Sequence, residues 1–280
     1  MTINKKTMLE LNLSDVTFYK EAGQKIVYTA NSDYHGLVVL KIIKPNQDLA
    51  RITREIEILK TLNGIRTPKI FDDGNVVLND VECLYIIESF IEGDELRDYL
   101  NKSGKIPLNE VCNFLQMMVE TIAILEEHSL VHRDIKPENI MRTTSGEYIL
   151  IDFGIARDLS RTSLTDSAAA GGPATVIYAP IEQIDNLKDQ IDSRTDLYSV
   201  CLVAYEMLCG VNPFSEGCNN MMQVMRKIDK GDFTRIKDNN DLIEFIHTNL
   251  NRHRTRRSAN AKDAKDWIDE IASNLCGEET

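Results

Sequence analysis

Near residue 92 the apolar pattern of this chain changes period, and that switch limits the fold more than any other feature. Residues 16–45 carry the short runs VTFY, KIVYTA and LVVLKII, separated by polar turns holding Asn31, Ser32 and Asp33. β-branched and aromatic runs broken by such turns predict strands, and Pro45 closes the third. Residues 48–63 then place Leu49, Ile52, Ile56 and Leu59 at helical spacing. Two further strands are expected at 75–79 and 84–90. Beyond Gly93, Pro107 opens a helix over 107–129 whose apolar stripe is Leu108, Val111, Leu115, Met118, Ile122 and Leu125. Helices are also expected at 192–209, 238–250 and 261–275. The pattern predicts an α+β chain: a small, mostly antiparallel sheet with one helix over 1–92, and a larger, mainly helical part over 93–280. Residues 158–175 are rich in Ser, Thr, Ala and Gly and form a long loop, usually functional or disordered.

Composition removes several function classes. With 280 residues and 42% hydrophobic content, the chain can build a core without disulfides or metal. Its net charge of −12 argues against binding nucleic acid or anionic lipid. The basic run RHRTRR at 252–257 stands out against that background. The six cysteines, Cys83, Cys112, Cys201, Cys209, Cys218 and Cys276, form no CxxC pair, so reduced thiols and a cytoplasmic location are expected. The opening MTINKKTMLELNLSD has no apolar core of a signal peptide, and no stretch is long enough to span a bilayer.

Chemistry concentrates in VHRDIKPENIM, residues 131–141, which offers Asp134, Lys136 and Asn139, and in IDFG, which adds Asp152. Carboxylate and amide oxygens are the hard ligands Mg²⁺ prefers, and a further Asp can orient a hydroxyl and accept its proton. Both motifs, in this order and spacing, resemble the eukaryotic-type (Hanks-type) serine/threonine protein kinases, and the likeness runs from about residue 14 to 275. The resemblance implies the bilobal protein-kinase fold. It makes Lys41 of VVLK the lysine on the α- and β-phosphates and Glu55 its ion-pair partner; Glu57 would lie on a different helix face. Adenine would meet the backbone at Ser89 and Ile91, with Glu88 as a charged gatekeeper, uncommon in the family. Asp134 would be catalytic, Lys136 would reach the transferring phosphoryl group, and Asn139 and Asp152 would hold Mg²⁺, with Mn²⁺ admitted beside it. Lysine at 136 is the serine/threonine pattern.

His132 and Arg133 precede the catalytic aspartate, and Arg133 often receives an activation-loop phosphate in this family. The loop from Asp152 to Glu182 offers Thr162, Ser163, Thr165 and Ser167 for autophosphorylation, with Thr165 or Ser167 favoured. A transient homodimer is compatible with transfer in trans. Thr175 would pack on Asp134 and Lys136. The family's APE reads Pro180-Ile181-Glu182 here, and Glu182 is expected to pair with Arg256 of RRSA. Asp196 would tether the catalytic loop.

The phosphate loop departs most. Aligned on Val27, the family's G-x-G-x-x-G-x-V becomes KEAGQKIV, with Lys20, Ala22 and Lys25 at the glycine positions and Gly23 just after the second. Some bacterial kinases have a similar GGQK turn, so a loop that still covers ATP is expected. Alternatives stay open at this stage: a pseudokinase scaffold, supported by the lost glycines and altered APE, or a kinase-like small-molecule phosphotransferase. The protein substrate is not readable, and a stand-alone catalytic domain of bacterial look is expected.

Overall fold

The computed structural model describes residues 3–22, 25–45, 49–153, 157–158, 176–238 and 240–277. The chain divides into two compact units, Met1–Glu92 and Gly93–Thr280.

The first unit is built on a five-stranded antiparallel sheet in the order β1 (Leu13–Ala22), β2 (Lys25–Ser32), β3 (Gly36–Ile43), β5 (Val81–Ser89) and β4 (Ile70–Leu78). Alternation along β3 sorts its side chains. Val38, Leu40 and Ile42 are fully buried on one face, in a cluster with Ile26, Tyr28 and Ala30 of β2 and Leu78 of β4. The opposite face carries Ile43 of β3 and Ile86 of β5, packed on Ile52 and Ile56 of α2 (Leu49–Leu62). Each such side chain contributes about 1.5–3 kcal/mol on leaving water. A short helix α1 (Lys5–Glu10) precedes the sheet, and the Asn4 side chain accepts a hydrogen bond from the Thr7 amide at 2.9 Å to start it. The pattern in the sequence was too short to announce it.

Gly93 opens the second unit at the start of β6 (Gly93–Glu95), which pairs with β8 (Ile140–Thr143). A Cβ at 93 would lie 2.1 Å from the Arg142 carbonyl oxygen, so only glycine fits. β8 continues into β9 (Tyr148–Leu150), while β7 (Leu130–Val131) pairs with β10 (Arg157–Asp158). Helix α3 (Leu96–Ser103) leads to the long helix α4 (Leu108–Glu127). Its stripe from Val111 to Leu125 is buried against the helices Ser193–Cys209 and Ala261–Gly277. The Ser193–Cys209 helix is buried around nearly its whole circumference, which is why its sequence shows little amphipathic contrast. The short helix Ile181–Ile184 and the helices Met221–Lys230 and Asp241–Asn249 also belong to this unit.

Candidate active site

In the second unit, β7 ends at Val131 and the chain enters an irregular turn before the short 3₁₀ segment Pro137–Asn139. The turn needs outside support, because Arg133 holds φ +69°, a left-handed conformation that costs a non-glycine residue about 1 kcal/mol or more. Asp196, fully buried, supplies that support. Its carboxylate accepts the His132 amide at 2.7 Å and the Arg133 amide at 2.9 Å. From the other side, Gln183 Nε2 donates to the Arg133 carbonyl at 2.7 Å. Burial pushes the Asp196 carboxyl up to about 7, against the two amide bonds, which favour the charged form.

The turn presents Asp134. Its carboxylate receives Lys136 Nζ at 2.8 and 2.9 Å and Asn139 Nδ2 at 2.9 Å, and Asn139 also bonds the Asp134 carbonyl at 2.9 Å. The β8–β9 register pairs Ile140 with Leu150, and the Ile151 amide donates to the Asn139 carbonyl at 2.8 Å. Asp152, the next residue, is thereby delivered beside Asn139. It too is left-handed, at φ +61°. The Asp134 carboxylate, the Lys136 ammonium, and Asp152 and Asn139 beside the paired ends of β8 and β9 thus gather near one end of the hairpin.

His132 is fully buried and meets the Phe153 ring edge-on with centroids 4.5 Å apart. Its Nδ1 accepts the Asp134 amide at 3.2 Å. Burial pulls its pKa down to about 4, with the Asp152 charge opposing. Acid therefore costs stability. The unfolded chain takes up this proton near pH 6.5, the folded chain only near 4, so the contribution is present above 6.5 and is lost as pH falls towards 4. Asp196 works in the opposite sense, stabilising at low pH and losing that contribution as pH rises from about 4 to 7. His132→Phe isolates the first effect. Between pH 6.5 and 4 the wild type should lose up to about 3 kcal/mol relative to this variant. Denaturant midpoints at several pH values check it; a difference that stays flat contradicts a buried neutral His132.

Glu182 pairs with Arg257, not with Arg256. The Arg257 guanidinium meets the Glu182 carboxylate at 2.6 and 3.2 Å, with the two side chains 0% and 3% exposed. Its other donors reach the carbonyls of Asn251, Arg194 and Arg252, and it lies over the Tyr198 ring at 4.8 Å. Arg256 is exposed and borders a groove of about 520 Å³ with Arg235 and His247. The 3₁₀ turn Arg254–Arg256 sets which of the consecutive arginines points inward. Tyr178 is buried with its hydroxyl on Glu206 and on Arg97, and Arg97 also holds Glu138 at 2.8 Å.

In the first unit, Lys41 and Glu55 are not paired with each other. Lys41 Nζ lies 2.5 Å from Glu88, and Glu55 lies 2.5 Å from Lys25. Val27 is buried and sits opposite Lys41 in the β2–β3 register. The Ser89 amide donates to the Lys69 carbonyl at 2.9 Å, and Ile91 follows the end of β5 half-buried. Ala22 is the last residue of β1, opposite Lys25. Gly23, Thr162, Ser163, Thr165, Ser167 and Thr175 lie outside the described residues.

The protein kinase domain family matches residues 23–268. This chain belongs to the protein kinase family. It is 31% identical over 165 residues to a probable serine/threonine-protein kinase of Streptomyces coelicolor, covering 59% of this chain and 24% of that protein. It is 32% identical over 188 residues to the probable serine/threonine-protein kinase PknB of Bifidobacterium longum, covering 64% and 27%. Against the serine/threonine-protein kinase PknL of Mycobacterium tuberculosis H37Rv it is 32% identical over 169 residues, covering 60% and 40%. The match therefore spans about a quarter to two fifths of the length of these curated relatives.

The contacts of Gln183 with Arg133, and of Arg97 and Glu206 with Tyr178, were not announced by the sequence motifs. Gln183 stands beside Glu182 in PIEQ, which is the nearest sequence signal. Among the described residues no group of three His, Cys, Asp or Glu side chains could hold a metal ion. The donor chemistry still suits Mg²⁺, which keeps few protein ligands and completes its shell with water and phosphate oxygens. Among the described residues no helix is long and apolar enough to cross a membrane.

Proposed function

We propose that this chain is an ATP- and Mg²⁺-dependent protein kinase that transfers the γ-phosphate to serine and threonine hydroxyls of protein substrates. The observation that carries this is the Asp134 carboxylate bracketed by Lys136 and Asn139, with Asp152 delivered beside Asn139 by the β8–β9 hairpin. Asp134 orients the acceptor hydroxyl and takes its proton. Lys136 sets a positive charge where the transferring phosphoryl group gathers negative charge. Asn139 and Asp152 would hold Mg²⁺, which neutralises the phosphate oxygens when bound. The adenine contacts are assigned to the backbone at Ser89 and Ile91. Asp196 and Gln183 keep the loop that carries Asp134 in its strained form, so little reorganisation is left to the reaction.

The serine/threonine assignment is supported by Lys136 and by the relatives, which are named serine/threonine-protein kinases. Autophosphorylation in the segment that includes Thr165 and Ser167, in trans through a transient homodimer, belongs to the same proposal. The purified protein should move labelled phosphate from ATP to a generic protein acceptor in the presence of Mg²⁺, and Asp152→Asn should not. Equal signals from the two proteins would remove the assignment.

A further inference from the structure

Two charged positions in the first unit stand out: a lysine at 25, at the third glycine position of the general pattern and shared with the GGQK turn, and a carboxylate at gatekeeper position 88. The sheet register places both on one face. Val27 is opposite Lys41, Lys41 is opposite Ile86, and Val39 is opposite Glu88. Directly paired residues of antiparallel strands point the same way, as do residues two apart on one strand. Lys25, Lys41 and Glu88 therefore share the face that α2 covers, and α2 brings Glu55 down onto it.

The four side chains form two ion pairs. Lys41 Nζ is 2.5 Å from Glu88 Oε1, with side chains 11% and 6% exposed. Lys25 Nζ is 2.5 Å from Glu55 Oε1, with side chains 13% and 1% exposed. A carboxylate this deeply buried needs a cation, because desolvation without one is prohibitive. Glu88 lies diagonally across from Lys41 on the neighbouring strand and takes its ammonium. Glu55 would then be buried without a counter-ion, and Lys25 supplies one. The Oε2 atom of Glu88 is buried with no hydrogen-bond partner, so this carboxylate depends all the more on Lys41. With Lys41 on Glu88 and Lys25 on Glu55, each of the two buried carboxylates has its own lysine.

We propose that Lys25, held by Glu55, is the lysine this chain presents to the phosphates of a nucleoside triphosphate, and that Glu88 has drawn Lys41 away from that role. The assignment rests on the ATP reading above. Lys25 is the first residue of β2, directly after the turn that the resemblance sets over the phosphates. Lys41 becomes a positioning residue that neutralises Glu88.

The test is a double-mutant cycle on the full chain, read by the affinity for Mg·ATP in calorimetry and by the melting temperature without nucleotide. Lys25→Gly should weaken nucleotide binding by about tenfold or more, the loss of one charge-assisted contact. Adding Glu88→Met should return the affinity to within about threefold of wild type, because Lys41 is released to Glu55 and one lysine again serves one carboxylate. The melting temperatures should follow the same order, with Lys25→Gly/Glu88→Met above Lys25→Gly alone. Wild-type affinity in Lys25→Gly overturns the proposal and leaves the ATP reading intact. So does a double variant no better than Lys25→Gly in either measurement. A wild type that binds no nucleotide overturns both.

Discussion

Asp134→Asn is expected to lower the turnover number for phosphoryl transfer by about 10²–10⁴-fold, the range for removing a positioned general base. The carboxylate touches Lys136 and Asn139, and its proposed role is toward the acceptor hydroxyl, so the Michaelis constant for ATP should change little. The fold should also survive. The Lys136–Asp134 pair is 14% and 15% exposed, and the surrounding turn is held by Asp196 and Gln183 rather than by Asp134. Steady-state kinetics at saturating ATP, beside a melting curve of the variant, check both statements. An unchanged turnover number with a weaker acceptor Michaelis constant would reduce Asp134 to a binding residue.

Arg257→Met is expected to cost about 3–5 kcal/mol, because it leaves the Glu182 carboxylate buried with its cation gone. For a chain of 280 residues that is a fall of about 5–9 °C in melting temperature. Arg256→Met, one residue away, should stay within about 0.5 kcal/mol of the wild type, since that side chain is exposed. The pair is a sharp comparison, as both changes remove one positive charge from the same basic run. Glu182→Gln/Arg257→Met should recover part of the loss, because a neutral amide is less costly to bury than a lone carboxylate. Equal melting temperatures for the two arginine variants would contradict the inward placement of Arg257.

Residue type and period made much of this legible. The alternation in LVVLKII and the spacing of Ile52, Ile56 and Leu59 are strong because each follows one periodicity without interruption, and they led to β3 and α2. HRD, the downstream asparagine and DFG all lie between residues 132 and 154, each readable as a local motif, so their chemistry could be read before any fold was known. What was not legible depends on side chains meeting from distant parts of the sequence. Which arginine of RHRTRR turns inward is set by the phase of a three-residue 3₁₀ turn. The exchange of partners among Lys25, Lys41, Glu55 and Glu88 depends on strand register and on where α2 sits over it. Gln183 is an unremarkable amide until its bond to the Arg133 carbonyl is seen. The β8–β9 hairpin that sets Asp152 beside Asn139 is made of two short strands, below the length at which alternation can be read.

The central assignment is transfer of phosphate to serine and threonine hydroxyls by the set Asp134, Lys136, Asn139 and Asp152. Its most direct test is phosphoamino-acid analysis of acceptor protein labelled by wild type and by Asp134→Asn, with Mg²⁺ and γ-labelled ATP. Phosphoserine and phosphothreonine are expected from the wild type, with neither above background from Asp134→Asn. Label found only on tyrosine or on small molecules, or equal label from both proteins, would contradict it.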